Sequence, residues 1–452
     1  MLMQQKNTYP TKDFLLGGGE SLERSWSQKT GPELRHWKTN QWQKFLAQGL
    51  PSPRVEEWKY TDLSALVKKP FQPAMASEEA QLSEWSKGAE DRESWPEEQG
   101  EPGPTLVFIN GHWSQSLSDL KAWPQQVKLL TIEEALLQDP SRLAHLENFS
   151  QIYEDAFSRL NGAAWGGALW IEVDPQVKVS QTVRILHWNE PGQGRELRGS
   201  RVVLWLGEQS EVRLVEKFVG SSGEAKDSDS SMVNSVLDLH LSAGSRLRSL
   251  QIQQQPQWLF HFSQVRARLE KDSHWESFSL TQGGRRSRLD LYADLIGTGA
   301  EALVNGLYFA KDKNQSDHRT LIRHLSPHSQ SEQLYKGVVG EKGEASFNGK
   351  IYIAPQAQQV ASQQLNKNLL LSETAEVHSK PELEVYADNV KANHGSAVGQ
   401  VNPDQLFYLM SRGLRREEAT QLLIQGFVSD VIFKLESPEW QRWLQSLVGR
   451  SV

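Results

Sequence analysis

Between about residues 165 and 400, hydrophobic and polar residues alternate. Runs at 201–206, 236–241, 287–296 and 350–354 place an apolar side chain at nearly every second position. This period of two predicts strands. No helical run of 10–15 residues separates them, which disfavours a sheet built by strand–helix alternation. A weak repeat follows the strands: an aliphatic residue stands four positions before a small one. It begins at Leu206, Leu241, Leu269, Ile296, Val339 and Leu371, at intervals of 35, 28, 27, 43 and 32 residues. Each unit reads as a strand end, a tight turn and a new strand. Such units cannot bury an apolar face alone and must stack, so the pattern predicts a β-helix with irregular rungs. A β-sandwich with regular turns satisfies the same pattern.

Both ends of the chain change to helical periodicity. Leu34, Trp37, Trp42, Phe45 and Leu46 share a helix face, which Gly49, Pro51 and Pro53 terminate. Near the other end, Asn402 caps a helix with Pro403 in its first turn. Leu406, Phe407, Leu409 and Met410 form its apolar stripe, ending near Gly413. A second helix carries Ala419, Leu422, Leu423 and Phe427. A third carries Trp440, Trp443, Leu444, Leu447 and Val448. The expected organisation is a helical region at 1–72, an acidic linker at 73–104, a mixed region at 105–164, a β core at 165–400 and a helical domain at 401–452.

Composition narrows the chemistry. The 452 residues include no cysteine. Disulfides, a thiol nucleophile and thiolate metal sites are therefore excluded within the chain, and it cannot hold an iron–sulfur cluster on its own thiolates. The formal charge is −7, and the segment 73–104 alone accounts for it, with nine acids against Lys87 and Arg92. No basic stripe suggests nucleic acid. No apolar run is long enough to span a membrane, and no cationic, apolar leader opens the sequence. The cytoplasm is the expected compartment.

The local motifs do not make an enzyme. Gly297-Thr-Gly-Ala-Glu-Ala302 has the letters of a dinucleotide fingerprint, but a strand follows where a helix is required. In the P-loop-like segment 343–350, the spacer is one residue too long and Ile351 stands where Mg²⁺ needs a hydroxyl. The spacing of His318, His324 and His328 fits no zinc signature, which predicts structural, hydrogen-bonded histidines. The carboxylate pairs Asp290/Asp294 and Glu382/Glu384 are ordinary on strand faces.

Longer motifs are more specific. His378-Ser-Lys-Pro-Glu-Leu-Glu-Val-Tyr-Ala-Asp-Asn-Val-Lys-Ala-Asn-His-Gly-Ser-Ala-Val-Gly-Gln400 resembles the SufB/SufD family of iron–sulfur cluster assembly proteins. So does Tyr408-Leu-Met-Ser-Arg-Gly-Leu-Arg-Arg-Glu-Glu-Ala-Thr-Gln-Leu-Leu-Ile-Gln-Gly-Phe427. Asp317-His-Arg-Thr320, Ser346-Phe-Asn-Gly-Lys350 and Arg54-Val-Glu-Glu-Trp-Lys-Tyr-Thr-Asp62 match further family blocks. The likeness covers about residues 50–430 outside the acidic insert. The absence of cysteine and the chain length point to the SufD side.

The resemblance implies a mainly β fold, with a right-handed parallel β-helix between helical regions. It also implies a non-enzymatic scaffold of the SufBCD complex. Such a chain pairs with a SufB-like subunit through the β-helix, binds a SufC-like ATPase through its C-terminal helices, and is tied to iron supply. It would hold no cofactor stably alone, only a transient iron–sulfur cluster shared with its partner. His394 falls at the family position associated with the nascent cluster, as a candidate shared ligand at the SufB interface. Ala392 stands two residues earlier, where many members have cysteine. The ATPase contact would come from Tyr408, Leu409, Arg412, Gly413, Glu418, Ala419, Leu422 and Phe427. Two other readings compete: a β-helix enzyme acting on polysaccharide, and a metal-free interaction module.

Overall fold

The computed structural model describes residues 7–26, 30–76, 95–96, 103–192, 194–221 and 230–449. The acidic reading at 73–104 falls mostly outside them. Within it, Trp95 is described, and packs beside the guanidinium of Arg184 and the ammonium of Lys217.

Short strands come first: β1 (Thr8–Tyr9), β2 (Leu50–Pro51), β3 (Gln72–Pro73), β4 (Thr105–Ile109), β5 (His112–Asp119) and β6 (Val127–Thr131). Eight pairs of longer strands follow: β7 (Trp165–Val173) with β8 (Val183–Asn189), β9 (Glu196–Leu206) with β10 (Glu211–Gly220), β11 (Met232–Leu241) with β12 (Arg246–Gln255), β13 (Phe260–Leu269) with β14 (His274–Gly283), β15 (Arg286–Leu295) with β16 (Glu301–Ala310), β17 (Gln315–His324) with β18 (Gln330–Val339), β19 (Glu344–Ile353) with β20 (Val360–Leu370), and β21 (Glu376–Val385) with β22 (Val390–Gln400). The odd strands stack in parallel in one sheet and the even strands in a second. The chain is thus a parallel β-solenoid of about eight turns, and the sandwich alternative is set aside.

The sequence repeat marks the corners of this solenoid. Leu206, Leu241 and Leu269 close β9, β11 and β13, and Ile296 follows β15, all at one corner. The next residue at that corner is Leu325, whose N–H bonds to Leu295 O. Val339 and Leu371 belong to the opposite corner, at the ends of β18 and β20. The interval of 43 residues therefore contains one full turn plus a step between sheets. At the first corner Gln176, Gln209, Gly244, Asp272, Gly299, His328 and Gln359 all take left-handed φ values. Each donates its N–H to a carbonyl of the next turn, as Asp272 does to Thr298 O at 3.0 Å. This ladder satisfies backbone groups that the bend would otherwise strand.

The lumen is apolar on one side, where Leu204, Leu239, Ala267, Leu291 and Ile322 face Leu214, Leu247, Trp275 and Val304. The helices Pro32–Gln48 and Ala156–Ala164 cover the outer face of the odd sheet. Beneath them Asp238 bridges the buried Arg201 and Arg266. On the outer face of the even sheet lie the C-terminal helices Arg416–Ile432 and Pro438–Gly449. Trp440, Trp443, Leu444, Leu447 and Val448 are buried there, as their spacing predicts. These helices cover the side of the solenoid and leave its end open. The shorter helix Pro403–Ser411 departs from its predicted stripe, because only Leu406 is buried.

The two ends of the solenoid differ. At the first end, β5 closes the even sheet and β6 the odd sheet, both through antiparallel pairing. At the far end, β21 and β22 pair in parallel with β19 and β20 and, like β5 and β6, have a neighbour on one side only among the described residues.

Candidate functional site

Residues 376–400 fold into the last turn of the solenoid. Successive strand side chains point to opposite faces, so one anchored residue fixes the face of the others. Ser396 Oγ meets Ser379 Oγ at 2.8 Å across the two sheets, which places both in the lumen. Ala392, His394 and Val398 share that face of β22, while Pro381 and Leu383 share it on β21. In the register, His394 sits above Gln364 and Ala392 above Ser362. Among the described residues no turn covers His394, and it is exposed at the mouth.

Imidazole suits iron as a borderline ligand, and an exposed ring at an open edge suits a ligand set completed by another chain. Ala392 adds no donor. Among the described residues, no group of three His, Asp or Glu side chains is placed to hold a metal ion.

His318, His324 and the two carboxylate pairs have structural partners, whereas His328 donates its backbone N–H to Gln358 O. His318 is buried and meets Thr281 Oγ1 at 3.1 Å. His324 lies between Ser329 and Ser331 at 2.8 and 2.9 Å. Burial pushes His318 down to about 3 and His324 to about 4, so both are neutral hydrogen-bonding groups near pH 7. Asp290 pairs with Arg288, Asp294 with Arg323, Glu382 with Lys380 and Glu384 with Lys350. After Gly297 and Gly343 the chain runs into β16 and β19, so neither glycine opens a helix that could cradle a phosphate.

The family block at 54–62 forms a strap on the outer face of the odd sheet. Trp58 lies under the Arg288 guanidinium at 3.6 Å, and Thr61 Oγ1 donates to Asp317 Oδ2 at 2.7 Å. The Tyr60 ring stacks on His378 with centroids 3.9 Å apart, and Lys380 Nζ reaches Glu56 at 2.7 Å. The strap thus spans β15 and β17 and ends on β21, the edge strand. The motif residues distant in sequence converge here, which no spacing rule could show.

The C-terminal candidates divide. Tyr408, Arg412, Gly413 and Leu422 are exposed, and Leu409 and Glu418 are half-buried. Arg412 stacks over Tyr408 at 5.1 Å, and Glu418 caps its helix by pairing with Arg415. Gly413 takes φ 97°, a left-handed turn that favours glycine. Ala419 is fully buried and presents no exposed surface in this chain. Phe427 is half-buried below Lys336, whose Nζ lies 4.3 Å from its ring. Phe407 is 74% exposed and Phe433 56% exposed. The apolar stripe of the first C-terminal helix was legible in the sequence, but its outward direction was not.

Comparison with known proteins agrees with this geometry. Residues 190–427 match the family "SUF system FeS cluster assembly, SufBD core domain", and residues 21–185 match "SufBD protein N-terminal region". The chain is 27% identical over 415 residues to iron-sulfur cluster assembly protein SufD of Escherichia coli, covering 90% of each chain. It is 27% identical to the SufBD family protein slr0076 of Synechocystis, covering 88% of this chain and 87% of that one. Iron-sulfur cluster assembly protein SufB of Bacillus subtilis is 24% identical over 276 residues, 61% of this chain and 58% of that one. No described helix is long and apolar enough to cross a membrane. With the core match spanning the solenoid and its last turn, this chain belongs to the SufBD family of iron–sulfur cluster assembly proteins and is SufD-like.

Proposed function

We propose that this chain is the cysteine-free scaffold subunit of an iron–sulfur cluster assembly complex. It docks a SufB-like chain on its open last turn, binds a SufC-like ATPase through the C-terminal helices, and lends His394 to a cluster formed between the chains. The cluster is cargo, and this chain performs no catalysis. A role in iron supply follows from the same site, since an exposed imidazole at the docking edge is a first contact for ferrous iron. The observation that carries the reading is the difference between the two ends: at the first, Trp113, Leu120 and Trp123 pack against the lumen core, and at the far end His394 is exposed on the lumen face of the edge strand β22. Unpaired edges recruit other chains unless they are blocked.

Anaerobic co-purification with SufB-like and SufC-like proteins tests this. A stable complex is expected, and His394→Ala should reduce cluster and iron retention by about tenfold or more, since a ligand is lost. A chain that remains monomeric beside both partners, or full cluster loading with His394→Ala, overturns the respective assignment.

A further inference from the structure

The lumen beneath the open mouth contains two polar columns with opposite bonding. In the first, every step is closed. Ser396 Oγ donates to Ser379 Oγ at 2.8 Å, and Ser379 Oγ donates to Asn366 Oδ1 at 2.7 Å. Asn366 Nδ2 donates to Tyr308 Oη at 3.1 Å, and Tyr308 Oη donates to Asn368 Oδ1 at 2.6 Å. Asn368 Nδ2 returns to Asn366 Oδ1 at 2.7 Å.

The second column is His394, Gln364 and Gln333, paired in register on β22, β20 and β18. Gln364 and Gln333 are each only 1% exposed, yet among the described residues neither the amide nitrogen nor the amide oxygen of either side chain has a hydrogen-bond partner. Buried amides without partners are costly, and an apolar residue would be more stable in their place. The next position down the column is in fact apolar, Val304. The facing sheet makes a second concession. A Cβ at Gly349 would stand 2.1 Å from Gln364 Nε2, so the glycine of the family block at 346–350 clears room for this amide. Both concessions lie directly below the exposed imidazole.

We propose that Gln364, backed by Gln333, is the positioning layer of the His394 site. When a metal engages one ring nitrogen of His394, the amide oxygen of Gln364 accepts the N–H of the other, fixing the tautomer and the ring direction. The amide nitrogen and Gln333 then extend the bonded chain into the lumen. This inference rests on the reading of His394 as a ligand and adds residues that need not touch the metal themselves.

The test uses the full-length chain in complex with its SufB-like partner, and ferrous iron alone as the probe under anaerobic conditions. Gln364→Leu should weaken iron retention 10- to 100-fold while leaving the thermal midpoint unchanged or higher. Gln364→Glu keeps an acceptor oxygen and should restore retention. In ¹⁵N-histidine spectra of the diamagnetic zinc-loaded complex, the His394 ring should hold one tautomer in wild type and lose that preference in Gln364→Leu. Wild-type retention in Gln364→Leu, with loss in His394→Ala, overturns this inference alone. A lowered midpoint in Gln364→Leu assigns the glutamine to lumen packing and also overturns it. Wild-type retention in His394→Ala overturns the ligand reading, and this inference falls with it.

Discussion

Single residues show where this fold accepts strain. Lys38 lies on the helix Pro32–Gln48, fully buried, with its Nζ 3.8 Å from the Trp165 ring. Desolvation is the main cause that brings its ammonium down to about 7; Arg201 adds to this and Glu133 opposes it. The unfolded chain keeps that proton up to about pH 10.5, so between pH 7 and 10.5 the unfolded state binds more protons and stability rises with pH. Lys38→Met should therefore raise the thermal midpoint at pH 7, by about 1–4 kcal/mol in stability. The advantage should shrink as pH climbs toward 10.5. Melting curves across that range check it, and a difference that does not change with pH would refute it. Residues of this kind were not legible in the sequence. A lysine among tryptophans on a helix reads as a solvent-facing residue until the partner elements are placed. The same holds for Gln364. In β20 the inward positions Ser362, Gln364, Asn366 and Asn368 are polar, which inverts the usual alternation and hides the lumen face. His394 was legible only through the long motif around it.

At the level of elements, the sequence shows the strands clearly and the turns only in part. The first four repeat positions share one corner because each strand there ends in an aliphatic residue followed by a small-residue bend. The opposite corner uses the same chemistry at Val339 and Leu371, so sequence alone could not tell a full turn from a half turn. The strap at 54–62 was legible as a block and not as a contact, since Arg288, Asp317 and His378, which it touches on the odd sheet, lie more than 200 residues away. It carries a prediction of its own. Tyr60 stacks on His378 of β21, and such a ring pair contributes roughly 0.5–1.5 kcal/mol beyond its buried area. Tyr60→Ala should loosen β21 locally while the central turns keep their pairing. In hydrogen exchange, amides of residues 376–385 should exchange about 2- to 10-fold faster, with no change across β9 to β15. Uniform acceleration along the solenoid, or none, would show that the strap does not hold this edge.

Across the whole molecule, the helical regions lie on the two outer faces, and one end of the solenoid is left open. Most strands of the even sheet are buried, whereas β22 is exposed along much of its length. Natural sheets usually block such an edge with inward-pointing charge or proline. Pro381 is present on β21, but the lumen face of β22 carries Ala392, His394, Ser396 and Val398, none of them a fixed charge. The end is thus shaped to be covered. Val398 sets up the decisive test. It is 48% exposed and faces the mouth above Asn368. In the free chain, the stem of a lysine at this position can lie over the rim with its ammonium in water, so the midpoint of Val398→Lys should match wild type. In the docked complex that ammonium would be enclosed between two lumens without a counterion, which is strongly unfavourable. Affinity for a SufB-like chain should fall at least about 100-fold. Binding of a SufC-like ATPase should persist, because the C-terminal helices rest on the side of the even sheet, away from the mouth. Calorimetry with each partner separates the two contacts. Wild-type affinity for the SufB-like chain would mean that the open end is not the docking face.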